Sequence, residues 1–240
     1  MPKRFLVFQH TASKKPGNCL LKSAKEQNVS LEIIKLWKNT IPAFNNYDGL
    51  LVLGRGPDLD QSDNYPFQDK EKEAIKRWVS EDRPFFGVGR GHQLLAEALG
   101  ATVGENYCAS IGFVDGYLTR KGKTHPLFNK IPHRITLFKW HRQAVMEPVP
   151  RNIDILATSA ECQIEAISIK DRPYIVGIQF DNNASGVKDV ETYLHKGRKW
   201  LASLNGKYIN PSKIISDARK FEETLTRQYN NLFTNFIKLT

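Results

Sequence analysis

Apolar residues fall into short unbroken runs early in the chain and into long helical stripes at its end. "RFLVF" (Arg4 to Phe8), "LEIIKLW" (Leu31 to Trp37), "GLLVLG" (Gly49 to Gly54) and "PFFGV" (Pro84 to Val88) are strand-length runs. The last of them, "PFFGV", is fully apolar, as a strand buried on both faces is. Amphipathic stretches separate them: "CLLKSAKEQN" (Cys19 to Asn28) and "DKEKEAIKRWVSED" (Asp69 to Asp82). In the second, Ala74, Ile75, Trp78 and Val79 share one side of an otherwise charged helix. Such alternation predicts right-handed crossovers and a mainly parallel central sheet with helices on both faces, an α/β three-layer sandwich. From about Ser110 to Gln179 the helical pattern fades. "IGFVDGYL", "RITLFKW", "IDILATS", "EAISI" and "YIVGIQF" then either extend that sheet or form a second one beside it. Helix returns after Gly186 with "VKDVETYLHKGRKWLASL", followed by a stripe of Ile214, Ala218, Phe221, Leu225, Leu232 and Phe236. With no repeat, low-complexity tract or Pro/Gly linker, the expectation is one domain over residues 1–240, with 187–240 as a helical C-terminal segment.

The formal net charge of +10 raises the question of nucleic acid. Basic residues are dispersed in short clusters such as Lys14-Lys15 and "TRKGK" (Thr119 to Lys123), with no basic arm and no one-sided Arg/Lys stripe. A lysine-rich solvated surface is the expectation, not a nucleic-acid binder. Cys19, Cys108 and Cys162 are odd in number, widely spaced and form no CxxC pair, which fits a reducing cytoplasmic setting and suggests neither a disulfide framework nor a zinc site. The start, "MPKRFLVFQHT", is too short in apolar content for a signal peptide, and no run approaches a membrane span.

Chemistry concentrates in "RPFFGVGRGHQLLAEALGA" (Arg83 to Ala101), an apolar strand that runs into a glycine-rich turn and opens a helix. Gly87, Gly89 and Gly91 lack the spacing of a dinucleotide fingerprint, and the turn follows the fourth strand rather than the first. The turn fits a nucleophile elbow better, with Gly87 and Gly91 two residues either side of the position that would carry the nucleophile.

"FGVGRGHQLLAEALGA" resembles the nucleophile segment of class I glutamine amidotransferases, G-[IV]-C-x-G-H-Q followed by L-L-A-x-A-L-G, except that Gly89 stands in place of the cysteine. The likeness extends over most of the chain. "DGLLVLGRGPD" is similar to the oxyanion strand with its Gly-Gly-Pro turn, "YPFQDKEKEAIKRWV" to the next helix, "FKWHRQAV" to the Trp-His segment and "VGIQFDNN" to G-x-Q-F-H-P-E. The nearest subgroup in these features is the free-standing GMP-synthase-like amidotransferases, and the resemblance implies their flavodoxin-like fold.

In that family a cysteine thiolate attacks the carboxamide of glutamine, a histidine moves protons, a glutamate orients the histidine and backbone N–H groups hold the oxyanion. The resemblance places the nucleophile at Gly89, the histidine at Asp181 and the glutamate at Asn183, so no catalytic residue is intact. An aspartate with an ordinary pKa near 3.9 is a poor base at neutral pH. The implied ligand-binding positions are Arg55 and Gly56 in the oxyanion turn, Arg90, His92 and Gln93 at the helix start, and His141. No metal or cofactor is implied. Cys108 and Cys162 stand off any elbow and are expected to be packing residues.

Three functions stay open. The chain could bind a small ligand, glutamine-like or anionic, or a protein partner, without hydrolysing glutamine. It could be an enzyme of altered chemistry that uses Asp181, Arg90 and Gln93 on an amide, ester or phosphorylated substrate; an ion pair of Asp181 with Arg90 or Arg142 would leave no such base, whereas a solvent-open pocket with Asp181 desolvated and unpaired would favour it. Or it could be a scaffold that dimerises through its C-terminal helix.

Overall fold

The computed structural model describes residues 2–12, 16–54, 65–204 and 209–240. β1 (Lys3–Gln9), β2 (Val29–Lys35), β3 (Gly49–Val52) and β4 (Phe85–Val88) are the four apolar runs. They pair in parallel in the order β2-β1-β3-β4, and β9 (Arg172–Ile178) joins β4, also in parallel. Every residue of β3 and β4 is buried, as expected of strands covered on both faces.

The extended middle of the chain continues this sheet rather than building another. β8 (Cys162–Ile169), β7 (Ile153–Ser159), β5 (Val103–Leu118) and β6 (Arg134–Val145) follow β9 in antiparallel pairings, giving a nine-stranded mixed sheet. Within this stretch the basic cluster "TRKGK" forms a short helix, α4 (Arg120–Thr124). Thr119 starts it, its hydroxyl accepting from Gly122 N.

Helices cover both faces. α1 (Asn18–Glu26) and the long α7 (Pro211–Leu239) share one core cluster with Phe5, Val7 and Phe86, while α2 (Phe67–Ser80) and α3 (Arg90–Ala98) share the other with Leu6, Phe8 and Phe85. Phe236 of α7 stacks on Phe86 at 5.1 Å and meets Phe5 edge-on at 5.8 Å. Much of the helix's apolar stripe is therefore spent on the sheet, which removes the exposed stripe that dimerisation through α7 required. The helix predicted after Gly186 divides at Gly197 into α5 (Val187–Lys196) and α6 (Arg198–Ala202). A Cβ on Gly197 would lie 2.8 Å from Trp140 Cζ2, so the chain passes the indole only as glycine.

Candidate functional site

β4 turns into α3 through Gly87, Gly89 and Gly91, and the turn is tight enough to fix two of them. A Cβ on Gly87 would sit 2.4 Å from the backbone of Gly91, and one on Gly91 2.1 Å from Val52 O on β3. Gly89 adopts φ 53° and ψ −108°, a left-sided conformation that glycine takes without strain. Its N–H donates to Ile178 O at 2.8 Å and its carbonyl accepts from Gln93 N at 3.2 Å, tying the turn to β9 and to the helix.

The segment after β9 brings Asp181 to this turn. Asp181 N donates to Phe138 O at 2.8 Å, and the neighbouring Asn182 mimics a strand, its Oδ1 accepting from Phe138 N at 2.7 Å and its Nδ2 donating to Thr136 O at 3.0 Å. Held so, Asp181 Oδ1 lies 3.0 Å from where a Cβ on Gly89 would be and 2.6 Å from where one on Gly54 would be. The carboxylate occupies the space into which a side chain at either glycine would grow. Asp181 is 4% exposed and Asn183 is 5% exposed. Both line a cavity of about 330 Å³ whose wall includes Gly54, Asn18, Asp189, Tyr193 and Lys196. Burial raises the pKa of Asp189, which caps α1 by accepting from Asn18 N at 3.0 Å.

The remaining expected site residues turn elsewhere. Arg90 is 5% exposed, and its guanidinium faces Glu71 of α2 at 3.8 Å, whose other oxygen contacts His10 Nε2. Arg142 faces Glu105 at 3.1 Å. The discriminating ion pair of Asp181 with Arg90 or Arg142 does not form among the described residues. Gln93 donates to Gln143 O at 2.8 Å and to Gln179 Oε1 at 3.2 Å, and His141 Nδ1 meets the same Gln143 carbonyl at 3.0 Å. Arg90, Gln93 and His141 line none of the cavity beside Asp181. Arg55 and Gly56 lie outside the described residues.

His92 is wholly buried, its Nδ1 2.8 Å from where a Cβ on Gly177 would be, and desolvation lowers its pKa to about 3. The histidine is therefore neutral in the fold and protonated in the unfolded chain below pH 6.5, its ordinary value. Stability is full above that pH and falls as pH drops towards about 3. Lowering pH from 7 to 5 is expected to cost about 2 kcal/mol through this residue. Urea midpoints at the two pH values, compared with those of His92→Asn, measure it; an equal pH dependence in both proteins would refute it.

Two buried ionic clusters lie beyond what the motifs point to. The first is His10, Glu71 and Arg90 behind the turn. The sequence carries a signal for it: Gln68 and Glu71 fall on the same α2 stripe as Ile75 and Trp78, and all four are fully buried. The second is Lys139 with Glu165, both fully buried, the carboxylate also accepting from Ser159 Oγ at 2.5 Å. Donor atoms of His141, Cys162 and Glu165 lie within 4.8 Å of one another there. The Lys139 ammonium supplies the positive charge to that carboxylate, and burial pushes the Cys162 thiol up to about 11, so it is neither an easy ligand nor a nucleophile.

Known proteins resemble this chain in sequence and in fold. The sequence profile of the family described as "Glutamine amidotransferase class-I" matches residues 17–184. The chain is 34% identical over 148 residues to a GMP synthase (glutamine-hydrolyzing) subunit of Archaeoglobus fulgidus, covering 61% of this chain and 73% of that protein. It is 33% identical over 134 residues to the subunit of the same name from Methanocaldococcus jannaschii, covering 54% of this chain and 62% of the relative. The match thus spans less than two thirds of that relative's length. Among solved structures, a glutamine amidotransferase from Thermotoga maritima superposes with a TM-score of 0.86 at 22% identity, covering 99% of both chains. One from Methylobacillus flagellatus gives 0.86 at 20% identity, covering 100% of this chain and 96% of that one. These two likenesses bear on fold.

Proposed function

Because the chain belongs to the class I glutamine amidotransferase family, we propose that it is an amidotransferase-like protein that does not hydrolyse glutamine by the family's thiolate route. It acts instead by binding a small ligand or a protein partner. The observation that carries this reading is the placement of Asp181 Oδ1 3.0 Å from the Cβ position of residue 89. Where the family has a sulfur nucleophile beside an imidazole, this chain has a glycine backed by a carboxylate. With Asp181 in the histidine's place, Asn183 has no imidazole to orient, and its buried Oδ1 has no hydrogen-bond partner among the described residues. The cavity of about 330 Å³ beside Asp181 is the proposed ligand site, at the lower end of the range for small-molecule pockets. A protein partner accords with the word "subunit" in the names of the relatives.

The altered-chemistry reading needs Asp181, Arg90 and Gln93 to converge on one substrate. Arg90 directed at Glu71 and Gln93 bonded to Gln143 and Gln179 speak for the binding role. The test is covalent capture: incubated with a diazoketone analogue of glutamine, which alkylates a nucleophile in a glutamine site, the intact protein should keep its mass. An adduct mapped by peptide digestion to any residue of this cavity would overturn the proposal.

A further inference from the structure

A second and larger cleft, of about 1000 Å³, lies between the segment after β2, Leu36 to Asn45, and the outer face of α2, and it shares no lining residue with the cavity beside Asp181. Its surface combines two features. Trp37, Phe44, Tyr65 and Phe67 give it aromatic walls, and Tyr65 is 38% exposed, unusual for so large an apolar ring. Around these, among the described residues, stand Lys38, Lys70 and Arg77 with one carboxylate, Glu73. Arg77 lies over the Phe44 ring at 5.4 Å, and its ion pair with Glu81 is an exposed pair of the kind that exchanges readily.

We infer that this cleft docks an extended acidic segment of a partner protein, anchored by aromatic or aliphatic side chains. Aromatic residues and arginine in a concave setting are the types that dominate binding energy at protein interfaces. Three cations to one anion among the described lining residues select for acidic sequence and against basic sequence. Length decides between a peptide and a compact metabolite: from Pro66 to Arg77 the helix runs about 17 Å, the span of roughly five extended residues. The inference is independent of the role proposed for Asp181.

A random-peptide display library selected against the immobilised full chain tests it. The expected result is enrichment of acidic peptides bearing aromatic or aliphatic residues. A synthetic copy of an enriched peptide should bind the native chain and lose about tenfold or more in affinity to Trp37→Ala. It should lose at least as much to the double variant Lys38→Glu with Lys70→Glu, both of which are exposed positions whose substitution leaves the core intact. Lys220→Glu on α7, also exposed, should bind as the native protein does. No enrichment, selection of basic or neutral peptides, binding insensitive to the cleft variants, or displacement of the peptide by AMP would each overturn the inference.

Discussion

Incubated with glutamine, the purified protein is expected to release no glutamate or ammonia above the uncatalysed background. The family's first step forms a bond between sulfur and the carboxamide carbon, and position 89 has no side chain with which to form it. Loss of a nucleophile and its base from such a constellation removes about six orders of magnitude of rate, which leaves nothing measurable in an ordinary coupled assay. Burial raises the thiol pKa of Cys19 at the start of α1, which opposes thiolate formation there, and the other two cysteines do not fill the gap either. Cys162 is fully buried with its thiol pushed up to about 11, and Cys108 donates a long bond of 3.8 Å to Glu161 O from the middle of β5. Neither stands at the start of a helix, where backbone N–H groups could hold an oxyanion. The assay is decisive when contaminating glutaminase is tracked: ammonia release that co-elutes with the protein through two orthogonal columns, and persists in Cys108→Ala with Cys162→Ala, would refute the proposed loss of activity.

What could be read in the sequence follows from what each element needs from its neighbours. The parallel half was legible because short apolar runs alternate with amphipathic helices, and because a strand buried on both faces must be apolar throughout, as "PFFGV" is. The glycines of the turn were legible too, since only glycine fits 2.1 Å from Val52 O. Whether the extended middle joined the first sheet was not legible, because pairing of β9 with β4 depends on contacts some ninety residues apart in the chain. The break between α5 and α6 escaped for a similar reason: Gly197 is required by Trp140, a residue of β6. The buried ion pairs were hidden in plain view. A glutamate on an apolar stripe reads as surface until its partner is known, and Glu71 has His10 and Arg90 waiting from two other elements. For the site itself, sequence could place Gly89, Asp181 and Asn183 in one region. It could not say that the Asp181 carboxylate stands where a Cβ on Gly54 or Gly89 would grow, nor that Arg90 and Gln93 are engaged elsewhere.

That contact sets the outcome of restoring the missing sulfur. Gly89→Cys alone is expected to destabilise the protein and to yield no glutaminase. A cysteine at φ 53° and ψ −108° carries backbone strain of about 1 to 3 kcal/mol, and its Cβ begins 3.0 Å from Asp181 Oδ1, so the carboxylate must shift before the side chain fits. The negative charge beside it then raises the thiol pKa and opposes thiolate formation. Adding Asp181→His removes the charge and supplies a base, and adding Asn183→Glu gives that imidazole an acceptor to fix its tautomer. The triple variant should therefore regain partial activity and acquire an adduct from the diazoketone analogue, readable by intact mass, while its denaturation midpoint stays below that of the native chain. Recovery should be incomplete, because Gln93 is engaged with Gln143 and Gln179. If Gly89→Cys alone were as active as the triple variant, Asp181 would be a competent base, and the altered-chemistry reading would displace the binding one.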